Sequence, residues 1–106
     1  MKNIAVIGAG NIGRRHLQAL SHLSNNDYAL FSVDPYREAL DLGSQMYNEV
    51  KTINSPVLQQ SDHIANHPEE FFTVIIATNS KHRYLVFNTL LKNKIKYIIF
   101  EKVLFQ

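Results

Sequence analysis

A glycine-rich segment near the N-terminus constrains the fold of this chain more than any other feature. Gly8-Ala9-Gly10-Asn11-Ile12-Gly13 is a GxGxxG motif between the apolar run at residues 4–7 and a segment with helical periodicity. A strand, a glycine turn and a helix in this order are typical of a dinucleotide-binding βαβ unit. The motif therefore predicts a buried parallel strand followed by a helix that begins at the glycines.

The three glycines of the motif have separate roles in such a unit. Gly8 makes the tight turn, and Gly10 lets the backbone approach a pyrophosphate without an intervening Cβ. Gly13 lets the helix pack close to the sheet. The N–H groups at the helix start and the positive end of its dipole would then face the phosphates. The alternative is a glycine-rich turn that binds nothing.

An acidic residue follows the next apolar run. Residues 28–33 predict a second strand, and Asp34 comes about 20 residues after Gly13, where the dinucleotide motif requires a carboxylate for the adenosine ribose hydroxyls. Asp34 could also cap the helix that follows Pro35. A carboxylate here repels a 2′-phosphate and favours NAD, whereas Arg37 on the next helical turn leaves NADP open as the alternative.

Strand and helix patterns alternate along the rest of the chain. The strands are predicted at 50–53, 73–77 and 97–100, with helical turns within 63–71. Three helices are predicted from their apolar faces: the first with Ile12, His16, Leu17, Ala19, Leu20 and Leu23, and the second with Ala39, Leu40 and Leu42, which Gly43 weakens or ends. The third has Tyr84, Leu85, Phe87, Leu90 and Leu91 inside and closes at Asn93. This alternation predicts a doubly wound parallel α/β sheet, a three-layer Rossmann fold with strand order 3-2-1-4-5.

Composition limits the remaining possibilities. The chain has 106 residues, 45% of them hydrophobic, with no Cys and with 11 Lys and Arg against 9 Asp and Glu. This predicts a single domain over residues 1–106 and argues against disorder, a membrane span, a disulfide framework and a thiolate metal site. The N-terminus does not resemble a signal peptide, so we expect a cytoplasmic protein. The basic residues are scattered, so we do not expect a nucleic-acid partner.

Basic and histidine residues offer few further candidates. Arg14 and Arg15 are expected on a solvated helix face, one of them offering charge to the diphosphate. His16 is expected to be a hydrogen-bonded helix residue, not a catalyst. We expect no metal site at His22, His63 or His67.

Three segments together carry a family resemblance: GAGNIGRRH at residues 8–16, ATNSKHR at 77–83 and FEKVL at 100–104. They resemble the cofactor domain of the glucose-fructose oxidoreductase and inositol dehydrogenase family, Gfo/Idh/MocA. That domain has the glycine loop, an Ala-Thr turn after the fourth strand with a His at the next helix start, and a Glu-Lys-Pro turn after the fifth strand. The resemblance spans essentially the whole chain.

The resemblance also implies roles for single residues. It implies that Gly8, Gly10, Asn11 and Ile12 frame the pyrophosphate, that Asp34 binds the adenosine ribose, that Ala77, Thr78 and Asn79 line the nicotinamide side, and that His82 and Glu101 lie at the cofactor ribose. Lys102 would point to the reacting carbon as the catalytic residue, where a cation stabilises a developing alkoxide. The alternative for Lys102 is a surface lysine after the last strand.

Two departures from the family pattern affect the expected function. Val103 replaces the proline of the turn, and the α+β substrate domain of the family is absent from the chain. We expect the nucleotide-binding domain of an NAD(P)-dependent oxidoreductase acting on a sugar, cyclitol or nucleotide-sugar alcohol, inactive alone. The alternatives are a dinucleotide-binding sensor or docking module, and a structural remnant whose pocket is empty.

The last strand predicts self-association. Residues 97–100 would form the outer strand of the sheet, and Val103, Leu104 and Phe105 extend its apolar character. An apolar edge with unpaired backbone groups is a template for another chain. We therefore expect a homodimer, or aggregation at higher concentration, through this strand and the C-terminal tail.

Overall fold

The computed structural model describes residues 1–63, 70–78 and 94–101. Its elements are β1 (Lys2–Ile7), α1 (Asn11–Leu20), β2 (Tyr28–Val33), α2 (Arg37–Val50), β3 (Leu58–Ser61), β4 (Glu70–Ile76) and β5 (Lys94–Phe100). The five strands are parallel and lie in the order β3-β2-β1-β4-β5. The Rossmann fold and its predicted strand order are therefore confirmed.

The sheet buries apolar side chains on both of its faces, as expected of parallel strands. Alternate residues of β1, β2 and β4 form one cluster with Leu17 of α1 and Tyr47 of α2, so both described helices cover the same face. The other face holds a second cluster that includes Phe31 and Phe71, whose rings meet edge to face at 5.6 Å. The predicted helix at residues 84–93, which would belong to the third layer, lies outside the described residues.

The predicted strand at residues 50–53 is wrong. Val50 is the last residue of α2, Ile53 is 92% exposed in the following turn, and the third strand is β3. β3 has a polar sequence because it pairs only with β2 within the described sheet. Backbone pairing with β2 places it there, together with Leu58, its one apolar side chain, which packs against the core.

Gly43 does not end the second helix, which continues to Val50. It lies buried where α2 crosses α1, and a Cβ at this position would be 3.6 Å from Leu17. Packing against α1 offsets the roughly 1 kcal/mol cost of glycine within a helix. The inner face of α2 consists of Leu40, Gly43 and Tyr47, while Leu42, predicted to be inside, is 42% exposed.

Two further boundaries differ from the predictions. α1 ends at Leu20, with Ser21 as its C-cap. Leu23 therefore packs against the core from the turn that follows the helix. Ala19, which was predicted to be inside, is exposed. Helical turns were expected through Phe71, but residues 70 and 71 already belong to β4. Their pairing with β5 and the contact of Phe71 with Phe31 favour a strand here. Residues 64–69 lie outside the described part.

Candidate functional site

The carboxyl ends of the parallel strands are joined by a series of backbone hydrogen bonds. Asp34 N donates to Ser61 O at 3.1 Å, and Gly8 N donates to Val33 O at 2.8 Å. On the other side of β1, Ala77 N donates to Ile7 O and Glu101 N donates to Ile76 O. The residues after β1, β2, β4 and β5 thus meet along one edge of the sheet, where ligands bind in open α/β folds.

Gly8 makes the turn that leaves β1. Its φ of 99° lies in the left-handed region that side chains disfavour. A Cβ on this residue would also come within 3.0 Å of the backbone of Ala77. The protein itself therefore requires glycine at this position.

Gly13 brings α1 close to the turn. A Cβ at Gly13 would overlap the carbonyl oxygen of Gly8, so the helix could not sit where it does with any other residue. This confirms the close helix packing that the motif predicts.

Gly10 differs from both. Its φ of −73° suits any residue, and no described atom would lie within 4 Å of a Cβ built on it. The fold of the described residues therefore gives no reason for glycine here. The open space at Gly10 is what a phosphate group needs in order to approach the backbone.

The N-terminus of α1 has no side-chain cap and no acidic residue in its first turn. Within the described part of the chain, the N–H groups of Gly10, Asn11, Ile12 and Gly13 have no acceptor, and the first bond into the helix is Arg14 N to Gly10 O at 2.9 Å. Free N–H groups together with the helix dipole favour an anion. The residues at this loop therefore fit a dinucleotide phosphate.

Asp34 is buried beside the loop, only 8% exposed. Its Oδ2 accepts a hydrogen bond from Ala9 N at 2.7 Å, and its Oδ1 accepts one from Tyr36 N at 2.8 Å. The predicted N-cap role of Asp34 is wrong, because the N-cap of α2 is Tyr36 and it has no side-chain cap. Asp34 instead closes the turn before α2, and its other carboxylate oxygen faces the glycine loop. Each carboxylate oxygen retains a lone pair for a ribose hydroxyl.

Arg14 is not on a solvated helix face as the sequence suggested. Its Nη1 donates to the carbonyl oxygen of Ala9 at 2.8 Å, and its Nε is buried with no acceptor among the described residues. Arg37 shows the opposite behaviour, because its side chain is 84% exposed and pairs with Asp41 at 3.1 Å. In the sequence, nothing distinguished Arg14 from its exposed neighbour Arg15.

The other candidates lie on the β4 and β5 side. Ala77 is buried, and the Oγ1 atom of Thr78 is buried without a partner in the described structure. Glu101 Oε2 lies 3.7 Å from Nε2 of His16, which ties the end of β5 to α1 when the histidine is protonated. Asn79, His82, Lys102 and Val103 lie outside the described residues.

Among the described residues, no helix has the length and hydropathy to cross a membrane. In the same part of the chain, no three His, Asp or Glu side chains are grouped as a metal site would require.

Comparison with known proteins agrees with this geometry. No curated protein matches the chain significantly. The family model described as "Oxidoreductase family, NAD-binding Rossmann fold" matches residues 2–104. That match takes in every described strand, the glycine loop and residues 101–104. The chain therefore belongs to the Gfo/Idh/MocA oxidoreductase family and contains its NAD-binding Rossmann domain.

Proposed function

We propose that this chain binds NAD(H) with the pyrophosphate on the N-terminus of α1 and the adenosine ribose beside Asp34. The observation that carries the proposal is the open space at Gly10, next to four N–H groups without acceptors in the described structure. Gly8 and Gly13 are needed by the fold, so they say less about a ligand. When bound, the nicotinamide would accept or supply a hydride.

The test is to replace Gly10 by Val and titrate the protein with NADH by calorimetry. No described atom lies within 4 Å of a Cβ at Gly10, so we expect the Val variant to fold while its NADH affinity falls at least about 100-fold. Unchanged affinity would show that the cofactor lies elsewhere. Gly13→Ala is unsuitable as a test because it would disrupt the fold itself.

NAD is the proposed cofactor over NADP. A 2′-phosphate beside the adenosine ribose would meet the buried carboxylate of Asp34, whereas the nearby cation of Arg37 is paired with Asp41 at the surface. Asp34→Ser should shift the ratio of NADH to NADPH affinity toward NADPH by about 1 to 3 kcal/mol. The ratio is the readout because loss of the bond to Ala9 weakens both ligands alike. Asp27→Ser is the control, since Asp27 is exposed and precedes β2 at the opposite edge of the sheet. An unchanged ratio in Asp34→Ser would contradict the assignment.

The proposed substrate is a secondary alcohol on a sugar, cyclitol or nucleotide-sugar. This rests on membership of the family, and the same resemblance supports Lys102 as the residue near the reacting carbon and Ala77, Thr78, Asn79, His82 and Glu101 on the nicotinamide side. We further propose that the domain binds its cofactor without turnover when it is alone, since substrate contacts belong to a second domain in the family. Incubation with NAD and candidate sugars should then give no NADH.

We also propose that two copies pair along β5. Tyr97, Ile98, Ile99 and Phe100 are between 37% and 51% exposed, and β5 pairs only with β4 in the described sheet. An antiparallel two-fold arrangement centred between Tyr97 and Ile98 would set Lys94 of each copy opposite Glu101 of the other. Opposite charges at both ends of the paired strands support this register.

A further inference from the structure

Ala9 is held on both sides by charged groups from different elements. This residue is 1% exposed and lies between two glycines of the loop. Its N–H donates to the carboxylate of Asp34, which follows β2, at 2.7 Å. Its carbonyl oxygen accepts a hydrogen bond from the guanidinium of Arg14, on the first turns of α1, at 2.8 Å. Asp34 and Arg14 form no ion pair with each other, so they meet only through the backbone of Ala9.

The bond from Arg14 determines where the N–H of Gly10 points. The peptide between Ala9 and Gly10 is planar and trans, so its carbonyl and its N–H point in opposite directions. With the carbonyl held by Arg14, the N–H of Gly10 faces away from that side chain, and it has no acceptor in the described structure. If this peptide flipped, the carbonyl oxygen would take the place of an N–H donor.

The loop needs such a restraint because glycines flank Ala9. Gly8 and Gly10 have wide conformational freedom, so the peptides around Ala9 can rotate at low cost. Arg14 in turn loses hydration at its buried Nε, and a hydrogen bond from a charged donor offsets part of that loss. The position of the guanidinium is therefore set by the loop and not by solvent.

We propose that Asp34 and Arg14 clamp Ala9 and so preform the glycine loop for the pyrophosphate, with Arg14 acting as a positioning residue. The proposal rests on dinucleotide binding at this loop. It assigns to Arg14 a geometric role, which differs from a general attraction between a cation and a phosphate. Arg15 is the matched control, because it lies next to Arg14 on the same helix and carries the same charge, but is exposed and is not part of the clamp.

The experiment compares Arg14→Met with Arg15→Met in NADH titrations at about 0.1 M and about 1 M salt, where the screening length falls from about 10 Å to about 3 Å. Arg14→Met should weaken binding at least about tenfold at both salt concentrations, because it frees the peptide to rotate. Arg15→Met loses only charge, so its effect should nearly vanish at high salt. Equal affinities of the two variants at high salt would overturn the proposal.

A measurement without nucleotide separates this proposal from NADH binding itself. In the wild-type protein, NMR relaxation dispersion should show no microsecond-to-millisecond exchange at residues 8–13, whereas Arg14→Met should show exchange there. If wild type binds no NADH but Arg14→Met loosens the loop, the proposed function fails and the clamp stands. If wild type binds NADH and the loop of Arg14→Met stays rigid, the clamp fails alone.

A second variant keeps the test decisive if Arg14→Met does not fold. Asp34→Ala removes the acceptors of both Ala9 N and Tyr36 N, so neither hydrogen bond can be kept. The amide proton of Ala9 should then exchange with solvent at least about tenfold faster than in the wild-type protein. An unchanged exchange rate would overturn the part of the clamp assigned to Asp34.

Discussion

β2 and β5 are both apolar strands of the same sheet, yet their surroundings are opposite. Every residue of β2 after Tyr28 is buried, whereas none of β5 is buried. β2 lies between β1 and β3, and its Leu30 packs with side chains of α1 and α2. β5 has a single neighbour, β4, in the described sheet. The comparison teaches that apolar composition identifies a strand, while its neighbours decide how much that strand stabilises the fold.

Truncating one apolar side chain in each strand to Ala should give the largest difference in the free energy of unfolding. Leu30 is 0% exposed, so Leu30→Ala should lower the free energy of unfolding by about 2 to 5 kcal/mol, which includes the cost of a cavity. Ile98 is 37% exposed, and Ile98→Ala should cost about 1 kcal/mol because it leaves no enclosed cavity. Urea unfolding at low protein concentration measures both. Equal losses would mean that β5 is covered in solution.

The second prediction is that a charge on β5 weakens the pairing of two copies of the chain. Ile99→Lys places a cation on the exposed edge strand and should weaken pairing between two copies at least about tenfold. Ile53→Lys is the control, since Ile53 is 92% exposed in the turn after α2, away from β5. Sedimentation across a concentration series reports the dimer. A wild-type protein that stays monomeric at every concentration would rule out the pairing.

The sequence predicted the β2 side of the site well because its signals are local. The bounds of β2 were predicted at residues 28–33, and the structure gives Tyr28–Val33. The glycine spacing specifies a turn and a helix start, and Asp34 follows directly from the end of β2. These features depend on residues close together in the chain, so their pattern carries the geometry.

Other features could not be predicted because they depend on distant contacts. β3 consists of Leu-Gln-Gln-Ser and has no apolar periodicity, and its position is set by pairing with β2 and by a bond from Gln60 to the carbonyl of Leu40. Arg14 is a different case, because its bond to the carbonyl of Ala9 spans only five residues. That bond depends on the path of the glycine turn beside α1, and a pair of adjacent arginines in the sequence does not reveal which of them it reaches.

Removing a tyrosine hydroxyl near β2 or on β5 should change the free energy of unfolding by a smaller amount. Tyr47 of α2 is 2% exposed beside β2, and its hydroxyl donates to the carbonyl of Pro56 at 2.6 Å. Tyr97 of β5 is 51% exposed and packs against Phe72. At neutral pH, Tyr47→Phe should cost about 1 kcal/mol through the lost hydrogen bond. Tyr97→Phe should leave the free energy of unfolding nearly unchanged.

The difference in unfolding free energy between wild type and Tyr47→Phe should depend on pH, because Tyr47 is buried. Burial raises the pKa of Tyr47 above its ordinary value of 10.0, with a hydrogen bond from Ser55 opposing the shift. The unfolded chain therefore loses this proton at lower pH than the folded protein, and the stability that neutral Tyr47 contributes is complete below pH 10.0 and is lost as pH rises further. Urea unfolding of wild type and Tyr47→Phe should thus converge above this pH. Parallel curves would contradict the burial of the hydroxyl, because then Tyr47 would titrate alike in both states.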